Sequence, residues 1–351
     1  MQKTNAGNFF EDFKLGQKIH HATPRTLGQG DQALYTALYG SRFALQSSDA
    51  FAEQVGLPRA PLDDLLVFHT VFGKTVPDIS LNAIANLGYA EGQFFKHIFP
   101  GATISAQSEV IGLKENSNRE TGVVYVRTNG FDAADERILS YVRWVMVRKR
   151  SKDAACGEAH VPKLGDAVLA RDLRLPPHLN FDTLFEPASS GSNAFFQDYE
   201  IGEKIDHVDG ATIEEAEHML ATRLFQNTAR VHFNQHAESK GRFGKRLVYG
   251  GHVISLARAL SFNGLANALT LAAINGGRHV NPVFAGDTVF AWSQIIDKAE
   301  IAHRKDLGAL RLRLLATRNE PCSGFPDKDQ SGTYPASVVL DFDYWALLPR
   351  R

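Results

Sequence analysis

The chain repeats itself. Phe9 to His21 reads FFEDFKLGQKIHH and Phe195 to His207 reads FFQDYEIGEKIDH, identical at seven of thirteen positions with an offset of 186. The same offset pairs Thr26 with Thr212, Leu34 with Leu220 and Leu38 with Leu224 without a gap. Solenoid repeats have periods of about 20–50 residues, so a copy this long is a whole domain present twice. The 351 residues suffice for two such cores.

Each half presents the same order of elements. An amphipathic stretch comes first, Gly30 to Gly40 and Ile213 to Gln226. A nearly all-apolar segment follows, Leu65 to Phe72 (LLVFHTVF) and Val253 to Leu260 (VISLARAL), which predicts a helix buried on almost every side. Then come strand-like runs: Thr103–Gly112, Gly122–Phe131 and Ile138–Lys149 in one half, Asp287–Ile296, Leu310–Thr317 and Ser337–Leu347 in the other. Leu310, Leu312 and Leu314 alternate with Arg311 and Arg313, the period of a strand with one wet face. Asp132 to Glu136 reads as a hairpin loop. A buried helix wrapped by an antiparallel sheet is the hot-dog arrangement. The expectation is therefore an α+β double hot dog, two antiparallel sheets each wrapped round a buried central helix and set side by side as in a two-fold dimer. The expected division is an N-terminal hot-dog domain over 1–160, a linker over 161–193 and a C-terminal hot-dog domain over 194–351. The linker carries Pro162, Pro176, Pro177, Pro187 and the run Ser189 to Asn193.

Composition excludes several functions. Lys+Arg is 38 and Asp+Glu 39, so there is no basic footprint for nucleic acid or an anionic membrane. Two cysteines, Cys156 and Cys322, make neither a disulfide framework nor a Cys-rich zinc site. The first residues lack the apolar core of a signal peptide. The longest uncharged run, Ala259 to Gly277, holds Asn263, Asn267, Asn275 and three glycines and is a poor spanning segment. A cytoplasmic protein is expected. No metal, nicotinamide or flavin motif is visible, and no Gly-rich phosphate loop sits between a strand and a helix.

Chemistry-bearing residues concentrate in the second half, in three phrases: Phe225 to Asn234 (FQNTARVHFN), Leu247 to Leu256 (LVYGGHVISL) and Arg278 to Thr288 (RHVNPVFAGDT). In this order they resemble the MaoC-like, (R)-specific enoyl-CoA hydratase family, a resemblance that covers most of the chain. Tyr249 to Phe262 (YGGHVISLARALSF) is similar to the branch of that family that acts on mesaconyl-CoA. The resemblance implies a hydro-lyase that reversibly hydrates a short, branched, dicarboxylic enoyl-CoA, mesaconyl-CoA to β-methylmalyl-CoA. It also implies a homodimer and no cofactor apart from the CoA of the substrate. Where the family has its catalytic Asp this chain has Asn227, its Asn-Pro pair is Ala229-Arg230, and its His is kept as His232. In the first half the corresponding residues are Ser41 and Gln46, so one functional site per chain is expected, with the first half helping to bind.

Hydration of an enoyl thioester needs a base for water, a proton for the α-carbon and a donor for the enolate oxygen. His232 is expected to be the acid/base, since imidazole titrates near neutrality. Asn227 is expected to orient the water through its amide, with Asp63, Asp64 or Glu238 as carboxylates that assist. Gly251, at the start of the second buried helix, is expected to supply the oxyanion N–H. Asp63, Asp64, Leu65, Leu66, Leu87, Gly88, Tyr89 and Ala90 are expected to line the acyl-CoA channel. Arg230 is expected to meet a second carboxylate, with Arg278 and Lys96 behind it. The plainer readings are a helix-start charge pair for Asp63-Asp64, a core histidine for His69 and a packed or rim histidine for His252. His236 sits four residues from His232, the spacing of a metal pair, but no nearby carboxylate-His set completes one. Two other functions fit the same residues: a hot-dog acyl-CoA thioesterase using Asp64, or a non-catalytic acyl-CoA binding protein.

Overall fold

The computed structural model describes residues 3–182 and 187–351; residues 1–2, and 183–186 inside the expected linker, lie outside the described residues. The first half contributes β1 (Lys18–Leu27), β2 (Ala83–Phe94), β3 (Ala102–Glu115), β4 (Thr121–Phe131) and β5 (Arg137–Arg148). The second contributes β6 (Lys204–Thr212), β7 (Thr270–His279), β8 (Thr288–Glu300), β9 (Leu307–Arg318) and β10 (Val338–Pro349). Two five-stranded antiparallel sheets join edge to edge, so the described strands run β1-β3-β4-β5-β2-β7-β10-β9-β8-β6. The junction is the β2–β7 ladder. There Ala90 lies opposite Gly276, its own counterpart in the other copy, so the axis relating the halves passes between them.

Each sheet curves round a central helix, Asp64–Thr75 in the first half and Gly250–Leu260 in the second. All twelve residues of the first are buried, as an unbroken apolar segment requires. The repeated sequence motif does the same work in both halves. Phe10 packs where Gly122 of β4 has no Cβ, and Phe196 packs where Gly308 of β9 has none. His21 reaches Ser108 Oγ at 2.8 Å and His207 reaches Ser293 Oγ at 2.8 Å, each pinning the first strand of its half to the neighbouring strand.

The strands expected from the sequence are present, with ends that run up to four residues longer or one residue shorter. The hairpin at 132–136 joins β4 to β5, with Phe131 opposite Arg137. Arg311 and Arg313 sit on the outer face of β9, paired with Asp343 at 2.5 Å and Asp341 at 2.9 Å. The described part of the linker packs on the outer face of the joined sheet. Trp345 Nε1 donates to the Val168 carbonyl at 2.9 Å, and Val168 N–H donates to Asn275 Oδ1 at 2.9 Å. Both cysteines are free, and among the described residues no helix is long and apolar enough to cross a membrane.

Candidate functional site

The two central helices begin differently. The first is closed: the Asp63 side chain caps it, accepting from Leu65 N–H at 2.9 Å. The second is open. Tyr249 stands at the cap position and makes no side-chain cap bond, and Gly250 and Gly251 follow. Amides in the first turn of a helix have no carbonyl of their own helix to meet, and the positive end of the dipole lies with them. Both glycines are required by close packing. A Cβ on Gly250 would collide with the His279 imidazole, and one on Gly251 with the Tyr249 ring and, at 2.6 Å, with His69.

His232 lies beside this open end, in the short helix Arg230–Phe233. Its ring centroid is 5.5 Å from that of Tyr249. Nδ1 is 3.0 Å from the Leu247 carbonyl, and a carbonyl can only accept, so Nδ1 carries the proton and Nε2 keeps a free lone pair. Burial lowers its pKa to about 4, so the ring is neutral at physiological pH. Asn227 is buried five residues earlier, where its amide oxygen accepts from Ala229 N–H at 3.3 Å. The loop carrying both residues is seated on the other half. The Phe225 carbonyl presses against Gly73 of the first central helix, where any Cβ would overlap it.

Two residues not singled out from the sequence complete the cluster. His279 covers Gly250, its Nε2 is 3.3 Å from the Tyr89 hydroxyl, and burial, reinforced by the nearness of His232, lowers its pKa to about 4. Tyr249 packs on His232, Phe72 and His69, and its hydroxyl is 3.2 Å from His69 Nδ1. The signal for both lay in the motif phrases themselves, where they flank the residues first chosen.

Of the residues expected in the channel, Tyr89 is brought to this cluster, and Ala90 sits beside it on the axis. Leu65 and Leu66 are wholly buried in the core, and Leu87 is half-buried on β2. Gly88 gives close access to the Trp144 indole rather than leaving open backbone. Asp63 and Asp64 belong to the closed end of the first helix. Asp64 accepts from Thr270 Oγ1 at 2.7 Å and from Leu271 N–H at 2.8 Å, and burial, with Asp63 adding to it, raises its pKa to about 7. Arg230 and Arg278 are exposed, and Lys96 is taken up by Asp132 at 2.5 Å and by Glu136. Glu238 is half-buried and His236 exposed, both in the short helix Gln235–Glu238. His69 and His252 are core histidines: His69 Nε2 is 3.1 Å from Ser255 Oγ, and His252 Nδ1 is 3.2 Å from the Tyr39 hydroxyl. Gln46, in register with His232, turns inward and donates to the Leu269 carbonyl at 2.9 Å.

A family model described as mesaconyl-CoA hydratase matches residues 1–324. A β-methylmalyl-CoA dehydratase of Chloroflexus aurantiacus is 63% identical over 349 residues, 99% of each chain. A mesaconyl-CoA hydratase of Cereibacter sphaeroides is 59% identical over 350 residues, 99% of this chain and 100% of the other. Among solved structures, a MaoC domain protein dehydratase from Chloroflexus aurantiacus superposes with a TM-score of 0.98 at 63% identity, covering 100% of both chains. A Mycobacterium tuberculosis protein with a double hotdog fold shares the fold, with a TM-score of 0.73 at 24% identity over 98% of this chain and 99% of its own.

Proposed function

Because the chain belongs to the mesaconyl-CoA hydratase family of MaoC-like hydro-lyases, we propose that it adds water reversibly to mesaconyl-CoA to give β-methylmalyl-CoA, using the open end of the second central helix and His232. The observation that carries this reading is the uncapped Gly250-Gly251 helix start beside a neutral imidazole whose Nε2 is free. A thioester carbonyl placed at the helix start is polarised by the Gly251 N–H. One donor of this kind contributes roughly 3–4 kcal/mol when charge develops on the oxygen.

In the hydration direction His232 Nε2 takes a proton from water and the oxygen adds to the β-carbon. The electron pair of the double bond moves to the α-carbon and the thioester oxygen. The imidazolium then returns its proton to the α-carbon on the same face, so the addition is syn and the base is regenerated. The Leu247 carbonyl holds the tautomer through the cycle and stabilises the imidazolium. Asn227 carries no proton in this scheme. Its buried amide orients the water.

The test is incubation of the purified protein with mesaconyl-CoA and crotonyl-CoA, followed by mass spectrometry of the thioesters. Addition of one water to mesaconyl-CoA, lost in His232→Ala, is the expected result. Addition to crotonyl-CoA alone overturns the dicarboxylic substrate, and release of free CoA converts the reading to a thioesterase.

A further inference from the structure

A buried arginine stands near the start of each central helix, and the two copies treat it differently. At the first helix the arginine is Arg258, carried by the second helix. It donates to Ser261 Oγ at 3.0 Å and to the Ala268 carbonyl, and its charge acts on the Asp63 and Asp64 carboxyls. The Tyr344 ring of β10 lies 5.9 Å from its guanidinium.

At the second helix the arrangement recurs with cation and ring exchanged. Arg143 of β5 pairs with Val126, and Tyr344 of β10 pairs with Leu312, residues that are counterparts in the duplication. Phe72 is in turn the counterpart of Arg258. Arg143 lies 4.4 Å over the Phe72 ring. The two carboxylates have no such replacement, because the counterparts of Asp63 and Asp64 are Tyr249 and Gly250.

Arg143 is wholly buried. One terminal nitrogen donates to Thr75 Oγ1 at 2.8 Å and Ser80 Oγ at 2.9 Å. Nε and the other terminal nitrogen have no partner, and among the described residues no carboxylate pairs with the side chain. A guanidinium stays charged at any working pH, and an unpaired buried charge is costly. Two ring contacts connect the charge to the reacting groups. Phe72, on which it lies, meets Tyr249 at 5.7 Å, and Tyr249 meets His232 at 5.5 Å.

We propose that Arg143 is the specificity-determining residue that receives the distal carboxylate of the substrate, which supplies the negative charge that Asp63 and Asp64 supply to Arg258 in the first copy. This rests on the hydration of a dicarboxylic enoyl-CoA proposed above. With the thioester oxygen at the Gly251 N–H and the β-carbon at His232, the carboxylate attached to that carbon is carried past Tyr249 toward the unused N–H groups. Arg230, on its exposed turn, is not the anchor.

The experiment measures binding of succinyl-CoA, which carries a distal carboxylate, against butyryl-CoA, its neutral analogue, by calorimetry. The proteins are wild type, Arg143→Met, Arg143→Lys and Arg230→Gln. In parallel, turnover of mesaconyl-CoA is compared with that of tiglyl-CoA, which has a methyl group in place of the carboxylate. Wild type is expected to prefer succinyl-CoA at least about tenfold, the scale of one charge-assisted contact. Arg143→Met is expected to erase that preference and to lose mesaconyl-CoA turnover by about 100-fold while tiglyl-CoA turnover persists. Arg143→Lys is expected to restore part of the preference. A wild type without preference, a preference that survives in Arg143→Met, or one lost in Arg230→Gln overturns the proposal. If the Arg143 variants do not fold, the wild-type and Arg230→Gln titrations decide it: a preference retained in Arg230→Gln supports the anchor, and one lost there overturns it. Failure of wild type to hydrate mesaconyl-CoA while it still prefers succinyl-CoA overturns the proposed reaction and leaves the anchor standing.

Discussion

His69 and Ser255 hold the same place in the two copies, and their side chains meet at 3.1 Å across the axis that relates them. Ser255 Oγ also accepts from the Tyr35 hydroxyl at 3.0 Å, and all three groups are buried. Ser255→Ala strands the buried His69 Nε2 and takes one of its partners from the Tyr35 hydroxyl at the meeting point of the halves. The expected loss is about 1–3 kcal/mol of stability. Urea unfolding followed by far-UV dichroism reads it directly, and an unchanged midpoint contradicts the account.

His232→Gln keeps a polar side chain of similar reach and removes proton transfer. Hydration is expected to fall by roughly 10²–10⁴-fold, the usual contribution of a positioned acid or base. Dichroism and melting temperature report whether the fold is intact. A variant that keeps more than a tenth of the wild-type rate removes His232 from the chemistry.

The pH dependence of kcat/KM follows from the same residue. Burial holds the His232 pKa near 4, so the base is already free at pH 6. The rate is expected to fall only as pH drops toward about 4, well below the midpoint near 6.5 of an ordinary histidine. An acid limb centred near 6.5 shows a solvated imidazole and contradicts the site described above.

Stability has its own profile. His69 and His252 titrate near 3, and His97, His207, His232 and His279 near 4, all through burial. The unfolded chain binds these protons near 6.5, so stability falls as pH drops from 6.5 toward 4. Asp64 acts in the opposite sense. Its pKa is raised to about 7, so its contribution is full in acid and is lost as pH rises through 7. The histidines outnumber it, and the melting temperature is expected to be higher at pH 7 than at pH 5. Asp64→Asn is expected to raise the melting temperature relative to wild type more at pH 8 than at pH 5; equal shifts at both pH values refute the buried acid.

Gly73→Ala separates two opposed effects. Alanine in a helix is favoured over glycine by about 1 kcal/mol. Its Cβ would overlap the Phe225 carbonyl, which is backbone and cannot swing away. Overpacking of this kind costs typically 1–3 kcal/mol, so the variant is expected to be less stable and to lose activity as the loop bearing Asn227 and His232 is lifted. A more stable variant with full activity rejects the contact.

Much of this was legible in the chain. The repeated phenylalanine motif announced two copies, and the apolar segments at Leu65 and Val253 announced their central helices. β2 and β7 were harder to read. Both are covered on two faces at the junction, so alternation is lost, and glycines replace apolar residues where rings approach: a Cβ on Gly277 would lie 2.7 Å from Tyr89. The motif phrases marked the neighbourhood of His232, Tyr249 and Gly251 but not how they meet. Arg143 escaped notice because a single cation within the apolar run of β5 looks like an edge residue until its burial is known. Arg230 drew attention because it stands inside the motif, and its exposure could not be read from that position.

The β2–β7 ladder has an evolutionary corollary. In a dimer of identical single copies, every substitution near the axis is present twice, and a change that opens one helix end opens both. Once the copies are strung on one polypeptide, that constraint is lifted. A carboxylate can seal one end while a glycine pair exposes the other, so tandem fusion lets catalysis and structural support evolve apart within a frame that still closes as a symmetric pair.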